Sequence, residues 1–238
     1  DALAPELLTL SGTLAQAAAE AVDHQVKIAA SIPPMFGSYE PDKFDPEAGR
    51  QMMQLFQRYL APSADIFLAE TLGSLIEANT FLDCFVDCAA DLWLSVTLED
   101  VKPELGTPRL RSGEPLSALL DIVATTRLDG LLFNCSQPEV MLDAVTCVAN
   151  FRSRQPSRPA GLGLQIGVYA NAFPLMDDDY DHSNSTLHEM RHDITPQRYA
   201  EYALQWAAAG ADIIGGCCGI SPDHIATLRA ALKDGQNA

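Results

Sequence analysis

The sequence predicts an α/β protein built as a (β/α)8 TIM barrel from which the first two strands are absent. Six short apolar segments alternate with helical stretches along the chain, and this alternation implies βαβ units and a parallel sheet. Reactive side chains stand at the ends of several of these segments, which is typical of barrels. The alternative, an open doubly wound sheet, would need G-x-G-x-x-G after its first strand, and the sequence has none.

The six apolar segments are mostly continuous hydrophobic runs with little period-2 alternation. Strands that are buried on both faces of a parallel sheet have this pattern. We therefore predict strands over residues 26–32, 65–71, 92–98, 130–136, 164–170 and 212–219.

The stretches between these segments have helical periodicity, and several begin with Pro or Ser, as helix starts often do. They cover residues 46–60, 74–90, 116–126, 138–152 and 196–209, with a last helix from 222 to about 233. No linker or repeat divides residues 1–238, so we expect one domain. Only six βα units are visible and the chain begins at Asp1 without Met, so we expect the two missing strands to precede it.

Composition excludes several classes of function. A net charge of −17 without a basic stripe argues against a nucleic-acid partner. No apolar run approaches the roughly 20 residues that cross a membrane, so we expect a soluble protein. Six cysteines without a recognisable leader favour a reducing cytoplasm, where grouped thiols serve metals or catalysis. We expect a monomer or homodimer that binds small molecules.

Cys217 and Cys218 form an adjacent pair within the run G-G-C-C-G at the end of the last predicted strand. Adjacent side chains point to opposite faces of a regular strand, so both can face one metal only where the strand ends, and glycines permit the turn. Cys135 stands at the end of another strand. Three thiolates with an open fourth position describe a catalytic zinc site. The alternative is that each cysteine is a small buried hydrophobe.

The other three cysteines are interpreted as core residues. Cys84 and Cys88 share a helix face but have no histidine nearby, and Cys147 lies in an apolar helix. Glu70 ends the second predicted strand, where a carboxylate suits a substrate ammonium group, although a helix-entry charge would also explain it. Glu77 falls inside the following helix and is predicted to be structural.

The run H-E-M-R-H at residues 188–192 matches the zincin pattern literally. A zincin needs that helix buried beside a cleft, whereas this stretch, with His182 nearby, is polar on every side. We interpret the match as chance, and the rival function, a zinc hydrolase using His188 and His192, stays open.

Several of these motifs together resemble the homocysteine S-methyltransferase family. Residues 213–225 (IIGGCCGISPDHI) are similar to the family's Gly-Gly-Cys-Cys-Gly signature, and FNCS at 133–136 is similar to its Asn-Cys motif. AETLGSLIEA at 69–78 and RSGEP at 111–115 also resemble family segments. YAN at 169–171 resembles Tyr-Pro-Asn, with Ala170 departing from the usual proline.

The resemblance implies zinc held by Cys135, Cys217 and Cys218, a homocysteine amino contact at Glu70, and a site-lining Asn171. It implies methyl transfer from a sulfonium or betaine-type donor to homocysteine, giving methionine. The family's first-strand motif Asp-Gly-Gly-x-Gly-Thr does not occur in these 238 residues. The alternative is therefore a non-catalytic homologue that binds zinc or homocysteine without turnover.

Overall fold

The structure is a computed structural model that describes residues 3–101, 107–154, 163–175 and 189–235. Its strands form one parallel sheet of six, hydrogen-bonded in chain order. They are β1 Ala29–Ile32, β2 Ile66–Leu72, β3 Asp91–Val96, β4 Gly130–Asn134, β5 Gln165–Tyr169 and β6 Ile213–Ile214. The helices are α1 Ala4–Glu20, α2 Pro46–Leu60, α3 Leu75–Phe85, α4 Leu116–Thr125, α5 Pro138–Arg154, α6 Pro196–Ala209 and α7 Pro222–Gly235.

The alternating parallel architecture confirms the predicted α/β class. A parallel sheet in chain order is the arrangement expected of consecutive βα units in a barrel. Among the residues that the structure describes, the outer edges of β1 and β6 have no strand partner. Closure of the sheet into a full barrel therefore stays a prediction.

Local sequence explains where the helices begin. The Asp45 carboxylate accepts hydrogen bonds from the backbone N–H groups of Glu47 and Ala48, at 3.0 Å each, and so caps α2. Thr195 caps α6 in the same way. Gly210 ends α6 in the left-handed conformation, with φ of 111°, which glycine adopts without a steric penalty.

Most strands are one to three residues shorter than predicted, and α3 and β6 are shorter by six residues each. α3 ends at Phe85 because the backbone beyond it turns, and the carbonyls of Cys88 and Ala90 accept hydrogen bonds from Arg127. β6 spans only two residues, since the chain bends away at its glycines. The backbone N–H groups of Gly215 and Cys217 still donate to the carbonyls of Val168 and Ala170, at 2.8 and 2.9 Å. Hydrogen bonds to β5 and the residue after it therefore position the backbone as far as Cys217.

The two faces of the sheet differ, which the uniform hydrophobic runs did not predict. Leu92, Leu94 and Val96 of β3 are fully buried against the helices. On the opposite face Leu68, Trp93 and Tyr169 are only half-buried. The hydrophobic core thus lies between the sheet and its helices, and the other face carries the polar side chains described below.

The sheet is strongly curved. Glu70 of β2 and Tyr169 of β5 are three strands apart, which corresponds to roughly 14 Å on a flat sheet. Side chains stand nearly perpendicular to a sheet, so such a pair does not meet unless the sheet bends. The Tyr169 hydroxyl nevertheless donates to Glu70 Oε1 at 3.1 Å. The half-buried face is therefore concave, and side chains near the carboxyl ends of separate strands converge on it.

None of the helices in the described ranges is both long and apolar enough to cross a membrane.

Candidate metal centre

Three cysteine sulfurs meet at the carboxyl end of the sheet. Cys135 follows β4 directly, and Cys217 and Cys218 follow β6. Their Sγ atoms all lie within 4.8 Å of one another, and this is the only group of metal-ligand side chains found among the described residues. Cys135 is buried, Cys217 is intermediate and Cys218 is exposed. The structure thus brings together the three cysteines that the sequence singled out.

The spacing of the two adjacent cysteine sulfurs, those of Cys217 and Cys218, suits zinc. Three thiolates about 2.3 Å from a tetrahedral ion lie about 3.8 Å from one another, and Cys217 Sγ is 3.9 Å from Cys218 Sγ. Cys135 and Cys217 are joined by a disulfide, which the sequence did not predict. The same proximity that allows this bond would allow both sulfurs to hold one ion once they are reduced. Disulfide and shared metal are therefore alternatives for this pair.

The backbone around the cluster is held by hydrogen bonds between strand ends. Cys217 N–H donates to the Ala170 carbonyl and Ala172 N–H donates to the Cys218 carbonyl, both at 2.9 Å. Cys135 N–H donates to the backbone carbonyl of Tyr169 at 3.3 Å. Cys135 has a φ of 50°, a left-handed conformation that costs a non-glycine residue roughly 1–2 kcal/mol. Such strain persists where the surrounding structure imposes it, commonly at functional sites.

Two of the glycines beside the pair are required by geometry. A Cβ on Gly216 would overlap the Ile220 side chain, so any larger residue would displace that turn. Gly219 has a φ of 79°, and a Cβ there would lie 2.8 Å from Met190 Sδ. The structure thus shows the sharp turn that the glycines were predicted to permit.

Glu70 lies on the concave face and is held by two hydroxyls. Ser31 Oγ donates to one carboxylate oxygen at 2.5 Å and the Tyr169 hydroxyl donates to the other at 3.1 Å. Burial and the neighbouring Glu70 raise the pKa of Tyr169, so the phenol stays protonated and remains a donor. The carboxylate is thus oriented by β1 and β5, and it lies at the carboxyl end of the sheet, as the cysteine cluster does.

Asn171 is buried and lies beside the loops that carry the three cysteines. Its backbone N–H donates to the Ser136 carbonyl at 3.1 Å, and its side chain is hydrogen-bonded to the Tyr39 hydroxyl. It therefore lines the region between Cys135 and Cys218, rather than the Glu70 side of the site.

Tyr39 is a functional candidate that the sequence did not single out, and Arg111, the first residue of the family-like segment RSGEP, was given no role there. Tyr39 follows β1, yet it reaches Asn171 beyond β5, and its ring lies 4.9 Å from the Arg111 guanidinium. Burial, with the nearby Cys218, raises the pKa of Tyr39. Arg111 is fixed by Asp100 at 2.8 Å. No periodicity or motif marks Tyr39, whose left-handed φ of 66° is visible only in the structure.

Glu77 has a structural role, as predicted. It is 2% exposed, and its carboxylate accepts hydrogen bonds from Gly73 N–H and Ser74 Oγ, both at 2.8 Å. Burial raises the pKa of Glu77, although these two hydrogen bonds oppose the rise. The side chain thus ties the end of β2 to the first turn of α3.

Replacing Glu77 with Gln should change how stability depends on pH. Because its pKa is raised in the folded state, the folded protein holds this proton more tightly than the unfolded chain does. Wild-type stability therefore falls as the pH rises from the ordinary value of 4.5 through the raised pKa. As the pH rises across that window, we expect the unfolding free energy of Glu77→Gln to increase relative to that of wild type. Denaturant unfolding at several pH values measures it, and parallel pH profiles would contradict it.

The remaining cysteines pack against the hydrophobic core, in agreement with their interpretation from the sequence. Cys84 and Cys88 do not share a helix face as predicted, because α3 ends at Phe85. Burial raises the pKa of the Cys84 and Cys147 thiols, which keeps them protonated and unreactive at neutral pH.

The H-E-M-R-H stretch is only partly described. His182 and His188 lie outside the described residues, so the hydrolase alternative is not tested, and His192 is exposed. His224 is a structural histidine. Its Nδ1 accepts from Ser221 N–H at 3.2 Å, which leaves Nε2 to donate to the Ile194 carbonyl at 2.8 Å.

Comparison with known proteins agrees with this geometry. A sequence profile described as homocysteine S-methyltransferase matches residues 1–232. The homocysteine S-methyltransferase of Escherichia coli (strain K12) is 28% identical over 215 residues, which are 85% of this chain and 62% of that protein. The betaine-homocysteine S-methyltransferase of Drosophila melanogaster is 27% identical over 191 residues, 75% of this chain and 50% of the relative.

Solved structures give the same result. The homocysteine methyltransferase MmuM from Escherichia coli, in its metallated form, superposes with a TM-score of 0.66 at 25% identity, covering 95% of this chain and 70% of MmuM. Its oxidized form superposes with a TM-score of 0.67 over the same shares. The chain spans 50% to 62% of the length of the two curated relatives above. Because the family profile covers nearly all of its residues, the chain belongs to the homocysteine S-methyltransferase family.

Proposed function

We propose that this protein is a zinc-dependent methyltransferase that moves a methyl group from a sulfonium or betaine-type donor to the thiol of homocysteine, giving methionine. The observation that carries the proposal is the meeting of three cysteine sulfurs within 4.8 Å of one another, at the same end of the sheet as the Glu70 carboxylate. Family membership and the names of the relatives support the choice of substrate.

In this proposal Cys135, Cys217 and Cys218 would hold the zinc ion, which would activate the substrate thiol. Bound zinc supplies the positive charge that lets a coordinated thiol lose its proton at neutral pH. Zinc fits this donor set because soft thiolates are its preferred ligands and three of them leave the tetrahedron open.

Glu70 orients the substrate. Its carboxylate, held by Ser31 and Tyr169, receives the ammonium group of homocysteine through charge-assisted hydrogen bonds. Both hydroxyl donors approach from other strands, so the carboxylate has little freedom to rotate when the substrate binds. Fixing the amino group at one point and the sulfur at another places the reacting atom, and such positioning lowers the barrier.

The transfer itself is a displacement at the methyl carbon. A bond forms from the homocysteine sulfur to that carbon, while the bond from carbon to the donor's positively charged sulfur or nitrogen breaks. The electron pair of that bond leaves with the donor, which departs as a neutral sulfide or amine. The thiol proton of homocysteine has by then passed to solvent.

Charge favours a cationic donor. Three cysteine thiolates outweigh the two positive charges of a zinc ion, and Glu70 adds a further negative charge on the same face. A positively charged methyl donor is attracted to such a site, whereas an anionic one is repelled. Sulfonium and betaine-type donors share this chemistry, and kinetic comparison of the two identifies the donor.

The disulfide between Cys135 and Cys217 implies that the proposed activity depends on the redox state. A disulfide removes two of the three thiolates, so the oxidised protein should not hold zinc. Escherichia coli MmuM is known in both a metallated and an oxidized form, which supports the same alternation here. The need for free thiols also favours a cytoplasmic location, as part of the proposal.

The test is a metal and activity assay on the purified protein in its reduced and oxidised states. We expect about one zinc per chain and methionine formation from homocysteine and a donor after reduction, and neither after oxidation. Re-reduction with added zinc should restore both. Zinc and homocysteine binding without methionine would favour the non-catalytic alternative, and a reduced, folded protein that binds no zinc would overturn the proposal.

A further inference from the structure

Residues 189–193, which we call the Arg191 segment, connect the two loops that carry the cysteine sulfurs. Toward β4, the Arg191 guanidinium contacts both oxygens of Glu139, at 2.6 and 3.0 Å, and Gln137 Oε1 at 3.3 Å. Gln137 and Glu139 lie two and four residues after Cys135. One side chain therefore anchors the segment to Gln137 and to the first turn of α5, directly after the loop that carries the first sulfur.

Toward β6, the same residue acts through its backbone. Arg191 N–H donates to the Ala172 carbonyl at 2.8 Å, and Ala172 N–H in turn donates to the Cys218 carbonyl at 2.9 Å. The neighbouring Met190 packs on the same turn, since its Sδ lies 2.8 Å from the position that a Cβ on Gly219 would take. The Arg191 segment is thus attached to the loop that carries the other two sulfurs.

The Arg191 side chain is held firmly. It is 19% exposed, and besides Glu139 it binds both oxygens of Asp193, at 3.0 and 2.6 Å. Burial alone would raise the pKa of Glu139, but the hydrogen bond and charge of Arg191 bring that pKa below its ordinary value. A guanidinium bound in this two-pronged way has a defined orientation as well as a favourable energy.

We propose that Arg191 is a positioning residue for the metal centre, which fixes the spacing between the Cys135 loop and the Cys217–Cys218 turn. The expected effect of Arg191 on zinc affinity rests on the proposed function, whereas its expected effect on the spacing of the sulfurs does not. Residues that orient metal ligands from outside the ligand set typically change metal affinity by about ten- to hundredfold when removed. In this proposal Arg191, the arginine of the H-E-M-R-H stretch, acts by holding together the two loops that carry the cysteines.

The first test measures zinc affinity of the reduced protein by competition with a chelator. We expect Arg191→Ala to weaken zinc binding by about tenfold or more, and Arg191→Lys to recover part of the loss. Glu139→Ala should weaken binding similarly, and the double variant should add little, because both changes break one contact. Wild-type affinity in a folded Arg191→Ala protein would overturn the inference.

The matched control is Arg152→Ala. Arg152 also joins several elements, since it contacts the carbonyls of Leu164 and Gly210 and the Asp212 carboxylate, but it does so at the opposite end of the sheet. It should lower the midpoint of thermal unfolding and leave zinc affinity unchanged. Equal losses of zinc affinity in the Arg152 and Arg191 variants would show a general stability effect and refute positioning.

A second readout needs no metal. In glutathione buffers of known ratio, the equilibrium fraction of the Cys135–Cys217 disulfide reports how closely the two loops hold their sulfurs. Arg191→Ala should require several-fold more oxidising conditions for half-formation, because looser loops lower the effective concentration of one thiol at the other. An unchanged midpoint of disulfide formation in Arg191→Ala would refute the positioning role, whether or not the wild-type protein binds zinc. A wild-type protein that binds no zinc would overturn the proposed function but not the positioning role.

Discussion

Cys217→Ala should abolish zinc binding and methionine formation together. Cys217 is central to the cluster, since its sulfur is bonded to that of Cys135 and lies 3.9 Å from that of Cys218. Two remaining thiolates on separate loops form an incomplete site, and metal affinity depends on the full set of deprotonated ligands. We expect zinc to fall from about one per chain to near zero, measured by elemental analysis, and the rate to fall to the uncatalysed background.

The matched control for this variant is Cys147→Ala. Cys147 lies in α5, packs against the core and has a thiol kept protonated by burial. Its removal should cost some stability without changing zinc content or rate. An active, zinc-free Cys217→Ala protein would exclude the cluster as the reacting centre, whereas equal effects of both changes would indicate a loss of folding.

Glu70→Gln should produce the second largest effect, on homocysteine binding. Glutamine has a similar shape and can accept a hydrogen bond from one of the two hydroxyls through its amide oxygen while its amide nitrogen donates to the other, but it lacks the negative charge that the substrate ammonium requires. A hydrogen bond between charged groups contributes roughly 1.5–3 kcal/mol, so the KM for homocysteine should rise about ten- to hundredfold. Steady-state kinetics with varied homocysteine at saturating donor measure this, and zinc content should not change.

Glu77→Gln provides the comparison for Glu70→Gln, because the two carboxylates lie seven residues apart at the β2–α3 junction. Glu77 is hydrogen-bonded within its own turn and is buried. Its replacement should leave the KM for homocysteine at the wild-type value while changing the pH dependence of stability. An unchanged KM in Glu70→Gln would remove Glu70 from the substrate site.

The local parts of this fold could be read from the sequence. The bounds of α2 and α6 agree with the predicted 46–60 and 196–209, since Asp45 and Thr195 cap the first turns and Gly210 ends α6. All six strands were located because continuous apolar runs between turns mark buried parallel strands. The cysteine pair was recognisable because its glycines are adjacent in the chain. Each of these signals depends on residues within a few positions of one another.

What joins the site together was decided by the tertiary structure. Tyr169 reaches Glu70 across 99 residues, Tyr39 reaches Asn171 from the far side of the sheet, and Arg191 links two loops that the sequence treated as independent. The first two contacts exist because the sheet is curved, and curvature depends on how strands and helices pack as a whole. By itself the sequence determined which elements form and which thiols end them. Only the curved sheet decided which side chains meet, because distance along the chain says nothing about distance across a concave face.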